Sequence, residues 1–281
     1  MKSKLKVVAC LVPLVLSGSA VATTTWSVLG TPTTGISSIS AYANTSGTNT
    51  SNNASAQKIE EATWVVGSGW TGVTNKDVTG GDIDTSEGTS PEHSIDNNQR
   101  YDMAMVQFST DVKLTSLSLG WIANDSDLTV MAYQGTATTL AGVKQSLLGS
   151  AGLGGVYTYS QLTSNGWNLI GHYGGGASDL SRTINGGGVS SSFWLIGAYN
   201  PLVGSGSVFG TVNTGNFSTP TDQTSGYDYI KLSSLTGCAK SDTTSPGCTG
   251  GGGGKVPEPG SLALLGLGLV GMLRMRKARS G

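Results

Sequence analysis

The runs MAMVQF (103–108), VKLTSLSLGWI (112–122) and LTVMAY (128–133) decide how this chain is read. Each is a short strand-like run bounded by turn residues. In the second run Leu117, Leu119 and Trp121 alternate with Ser116, Ser118 and Gly120. A period of two puts one set of side chains on one face of a strand. Ser109-Thr110-Asp111 and Asn124-Asp125-Ser126-Asp127 read as turns between the runs, so the sequence predicts a three-stranded antiparallel meander. Its interior should include Met105, Leu117, Leu119, Trp121 and Val130. A sheet with one apolar face must be covered by a second sheet. The expectation is therefore an all-β fold, an antiparallel β-sandwich of jelly-roll type, spanning 23–237.

The flanking chain fits that reading. Thr23 to Ala43 is Ser/Thr-rich and predicts a strand or two. ANTSGTNTSNNASA, from Ala43 to Ala56, holds no large apolar residue and reads as a loop. Its Asn-x-Ser triplets match glycosylation acceptors, but such triplets arise by chance in a loop of this composition. Lys58 to Val66 ends in Thr63-Trp64-Val65-Val66 and reads as a strand, whereas Thr71 to Glu92 reads as a loop heavy in Gly and Asp. A short helix is expected around Leu140 to Leu148. LIGHY (169–173) and LIGAY (195–199) each follow a tryptophan, Trp167 or Trp194. Two copies are too few for a solenoid, so they read as two equivalent strands. A last strand is expected over Tyr227 to Leu235, then a Gly-rich linker, Gly250 to Gly254.

The two ends carry different information. At the start, Lys2, Lys4 and Lys6 precede an apolar run from Val7 to Leu16, and Ala20-Val21-Ala22 is a small-x-small cleavage site. That order is a secretory signal peptide, residues 1–22, with Ala20 and Ala22 at the cut. The apolar run is about half the roughly 20 residues a transmembrane helix needs. Cys10 lies too early in the run to close a lipoprotein box and is read as filler.

At the end, Val256-Pro257-Glu258-Pro259 leads into an apolar stretch from Leu262 to Leu273, closed by Arg274, Arg276, Lys277 and Arg279. The basic cluster should stay on the cytoplasmic side and hold the exported chain by this tail. The prolines keep the preceding peptide extended and open to a protease-like site. A formal G-x-G-x-x-G, Gly266 to Gly271, lies inside this stretch, where small residues of a membrane helix explain it better than a nucleotide site.

Residues 256–281, taken in that order, resemble the PEP-CTERM sorting signal. The resemblance implies handling by the Sec translocon and then by a membrane-embedded exosortase acting at the Pro-Glu-Pro element. It also implies a Gram-negative host that makes an exopolysaccharide, with the product at the cell surface or in the extracellular matrix. Further back, SPEHSIDNNQRYDMAMVQFSTDVKLTSLSLGW, NDSDLTVMAYQG, SSFWLIGAYN and GYDYIKLSSLTG resemble the exosortase-dependent surface protein family, a class with no assigned activity.

Composition narrows the function. Of 16 Lys and Arg, three leave with the leader and four belong to the tail; of 17 acids, only Glu258 does, so the core carries a net −7. That balance argues against a nucleic-acid partner. Cys238 and Cys248, in the 238–255 segment, form an even pair in an oxidising compartment and are expected to be joined.

Signs of catalysis are few. No serine has glycine at both −2 and +2, and there is no H-E-x-x-H. His172 reads as a strand histidine and His93 as part of a turn. A non-enzymatic structural or adhesive protein is the expectation. A secreted carbohydrate-active enzyme and a calcium- or carbohydrate-binding adhesin are the alternatives. Cofactors are expected to be none, unless calcium binds. Asp96, Asn97 and Asp102 in one loop, and Asp125 and Asp127 in a later turn, can offer calcium its hard oxygen ligands, or can serve ordinary turn chemistry.

Overall fold

The computed structural model describes residues 23–30, 33–46, 57–75, 93–98, 100–149, 155–176, 178, 180–212, 227–242 and 248. The expected signal peptide, 1–22, and the sorting tail lie outside the described residues, as does 47–56. Among the described residues no helix is long and apolar enough to cross a membrane.

Strands dominate: β1 (Thr24–Ser27), β2 (Ile36–Ser46), β3 (Lys58–Val66), β4 (Thr71–Thr74), β5 (Ile95–Asp96), β6 (Asp102–Asn124), β7 (Leu128–Tyr133), β8 (Trp167–Tyr173), β9 (Ser181–Thr183), β10 (Ser191–Ala198), β11 (Val208–Phe209) and β12 (Asp228–Ala239). The helix α1 spans Leu140–Leu148, as expected. Thr139 caps its start by accepting the Gly142 N–H, and Gly149 ends it at φ 83°, a left-handed value that glycine adopts without steric cost. Two boundaries differ from the sequence reading. Strand β2 continues through Ala43 to Ser46, and Thr71–Thr74 is a strand, not the start of a loop.

The larger correction concerns the deciding stretch. Met103–Phe108 and Val112–Ile122 are one strand of 23 residues, and Ser109-Thr110-Asp111 lies inside it. The first half of β6 pairs with β2 on one side and β10 on the other. Its second half pairs with β12 and β9. Nor do β6 and β7 form a meander: β10 lies between them, with Trp194 opposite both Val106 and Ala132. Because β12 also meets β4 at Thr71↔Leu232, hydrogen bonding closes a ring through β6, β2, β3, β4 and β12.

Both faces of the central strands are buried, which is why their sequences are nearly continuously apolar. Ala104, Val106 and Phe108 of β6, Leu128, Val130 and Ala132 of β7, and Trp194 and Ile196 of β10 enter one core with Leu114, Leu117 and Leu119. The intervening Met103, Met105, Met131, Tyr133, Phe193 and Leu195 enter a second core on the opposite face. Helix α1 covers that face with Val143, Leu147 and Leu148, helped by Tyr159 and Leu162. So Met105 is interior, but in a different core from Leu117. The LIGxY copies flank β7, with Leu169 and Leu195 both opposite Met131.

Trp121 departs from the expected interior and is only half-buried. Its neighbour explains why. Trp121 faces Lys231 and Leu119 faces Leu232, so two steps on β6 match one on β12. Gly120 is the extra residue of a β-bulge, which shifts the alternation by one position. Ile122 then packs against the core and Trp121 turns outward. There the Lys231 ammonium lies 3.6 Å from the Trp70 ring centroid and 4.9 Å from that of Trp121.

Cys238 and Cys248 are joined, with Cα atoms 6.1 Å apart. Lys113 donates to the Cys248 carbonyl at 2.9 Å, holding the loop on β6.

Candidate functional site

Asp125 and Asp127 belong to the turn between β6 and β7, and Asp228 opens β12. A parallel bridge brings Asp125 alongside Asp228. One carboxylate oxygen from each of the three lies within 4.8 Å of the others, and all three residues are buried. Asp228 Oδ1 accepts the Asp127 N–H at 2.8 Å and Oδ2 accepts Asn97 Nδ2 at 2.6 Å. Asn97 returns the contact, its Oδ1 accepting the Asp228 N–H at 2.9 Å. Asp127 Oδ1 accepts the Gly175 N–H at 2.7 Å, and Asp125 Oδ1 that of Ser126 at 2.8 Å. Arg182 donates to the Ser126 hydroxyl beside them.

Burial pushes the Asp228 carboxyl well above the usual carboxylate range, and the negative charges of Asp127 and Asp125 push it further. The Asp127 N–H and Asn97 amide oppose this only in part. Burial and the same acids, Asp127 and Asp228, also raise the Tyr199 phenol. Three carboxyls this close, out of water, favour a shared proton, and their oxygens are of the kind that also holds a hard cation.

Of the five calcium candidates, the structure gathers Asp125 and Asp127 in the triad and sets Asn97 against it. Asp96 instead accepts the Ser94 hydroxyl and the Asn98 N–H. Asp102 accepts from Asn75 at 3.4 Å and, on the side of the second core, adds to the burial that raises the Tyr159 phenol. Neither is among the three carboxylates that converge. Asp228 was missed because nothing in its local sequence marks it; it reaches Asp127 across 101 residues.

The histidines occupy structural positions. His172, in β8, meets Thr129 Oγ1 through Nδ1 at 2.9 Å and the Gly204 carbonyl through Nε2 at 3.1 Å. His93 sits in a turn at φ 55°, with Nδ1 2.8 Å from Thr74 Oγ1.

Residues 255–277 match the PEP-CTERM protein-sorting motif. The chain is thus an exosortase-targeted, exported protein whose precursor is held at the membrane by the sorting signal. No curated protein and no solved structure matches it.

Proposed function

We propose that this chain is a structural or adhesive protein of the cell surface or extracellular matrix in an exopolysaccharide-producing Gram-negative bacterium. The Sec translocon exports it, an exosortase recognises Pro257-Glu258-Pro259 and processes the chain, and exopolysaccharide is its partner outside. The match at 255–277 carries this reading. The displayed core, in the proposal, is a jelly-roll-like sandwich in which β6 bends from one layer into the other. The first core supports this, because it draws on both halves of β6. The resemblance of the core to exosortase-dependent surface proteins supports display and says little about chemistry. Replacing Pro257, Glu258 and Pro259 with alanine should leave an uncut precursor in the membrane fraction. Normal processing of that variant would overturn the reading.

A second reading adds calcium-dependent adhesion. The convergence of Asp125, Asp127 and Asp228, three buried acids on segments distant in sequence, favours it over ordinary turn chemistry. Calcium held there would tie the β6–β7 turn to the start of β12.

A further inference from the structure

A groove of about 610 Å³ opens where β6 bends. Ser37 near the start of β2, Gln107 and Asp111 on β6, Gln134 after β7, Ser192 on β10 and Lys240 after β12 line it. Phe108, Tyr133 and Phe193 also border it, with side chains buried in the two cores beneath. A second hollow of about 550 Å³ shares Asp111 and Lys240 and runs on towards Ser241. Together they form a trough that borders the start of the disulfide loop at Ser241.

The lining identifies the kind of ligand. Among its described residues the charged side chains are Asp111 and Lys240, and they pair with each other at 3.0 Å. Their backbones are also joined, Lys240 N–H to Asp111 carbonyl at 3.0 Å. The trough therefore presents no net charge to a phosphate, a carboxylate or a cation. Hydroxyls and amides supply most of the remaining polar groups. Gln134 Nε2 is spent on the Tyr133 and Ser190 carbonyls, which fixes the amide on the rim and leaves its oxygen to accept. Gln107 Oε1 accepts the Ser38 hydroxyl at 2.8 Å, which leaves its amide N–H groups to donate. Fixed donors and acceptors in an uncharged, largely polar lining match a sugar, whose hydroxyls both donate and accept.

We infer that this trough binds a segment of a neutral polysaccharide. The inference rests on the surface-display reading and names the class of its partner.

The test is affinity electrophoresis of the full exported protein in gels containing dextran, starch, galactomannan or hydroxyethylcellulose, with alginate as the anionic comparison. At least one neutral polymer should retard it, and Gln107→Ala with Gln134→Ala should weaken that retardation tenfold or more. Thermal unfolding checks the variant's fold. If its midpoint falls, Ser37→Trp replaces it, since that residue is exposed and its new ring fills the groove from the rim. Retardation by none of the neutral polymers, by alginate alone, or unchanged in the variants overturns the inference. Protease accessibility on whole cells scores display separately. A displayed protein that no neutral polymer retards leaves the sorting reading standing and removes the groove.

Discussion

The carboxylate of Asp228 accepts the backbone N–H of Asp127 at 2.8 Å, although 101 residues separate them in the chain. The contact places two buried acids side by side, with Asp125 the third. Calcium should raise the unfolding midpoint at neutral pH, and a chelator should reverse the gain. At a hundredfold excess over Kd the stabilisation is about 2.7 kcal/mol. Asp228→Asn should abolish the response and by itself cost about 1–3 kcal/mol in chelator, because both Asp228 oxygens accept N–H groups and an amide replaces only one of them. A midpoint indifferent to calcium would rule out the second functional reading.

Trp194 and Trp121 should separate sharply under mutation. Trp194 is fully buried at the centre of the sheet, and its indole N–H donates to the Ser191 carbonyl at 2.9 Å. Trp194→Ala should cost about 3–5 kcal/mol, as loss of a large core aromatic does. Trp121→Ala, which removes a half-exposed face from Lys231, should cost about 1–2 kcal/mol. Equilibrium urea unfolding measures both, and the reverse order would show that the bulge at Gly120 is misplaced.

The two LIGxY glycines are not equivalent. A Cβ at Gly197 would lie 2.4 Å from the backbone carbonyl of Asp102, which cannot move without shifting β6. At Gly171 it would lie 2.7 Å from the ring of Phe209, an exposed residue at the sheet edge. Gly197→Ala should cost roughly 1–3 kcal/mol from overpacking, and Gly171→Ala about 1 kcal/mol or less. Equal costs in the same unfolding assay would contradict this register.

His172 makes stability depend on pH. Burial lowers its pKa below the ordinary value, and the bond to the Gly204 carbonyl only partly offsets this. As pH falls through about 6.5 the unfolded chain takes up the proton first. The stability is therefore whole above that pH and is lost as pH falls towards the depressed folded value. His172→Gln should give a flatter profile of unfolding free energy between about pH 7 and 5. An unchanged slope would show that His172 does not contribute.

The sequence by itself determined what is local. The sorting tail is legible because it is read as a linear peptide, so residue order alone carries its meaning. The helix at Leu140–Leu148, the strand at Lys58–Val66 and the strand nature of both LIGxY runs were legible in local sequence, the second from its β-branched end and the third from the repeat after a tryptophan. The pairing of Cys238 with Cys248 was legible for a related reason, since the two are close in sequence and alone in the exported core. Tertiary structure alone decided which strands are neighbours. Three apolar runs in succession suggested a meander, but β10 enters between β6 and β7 and pairs with an edge of each, and the apolar pattern of a strand records which faces are buried, not which edges pair. It also decided the outward turn of Trp121, set by a one-residue bulge against β12 that no alternation pattern contains. And it decided the acidic site, because Asp228 becomes a partner of Asp127 only when the last strand returns to the first half of the fold. Spacing in sequence records nothing of contacts made across a hundred residues; packing creates them.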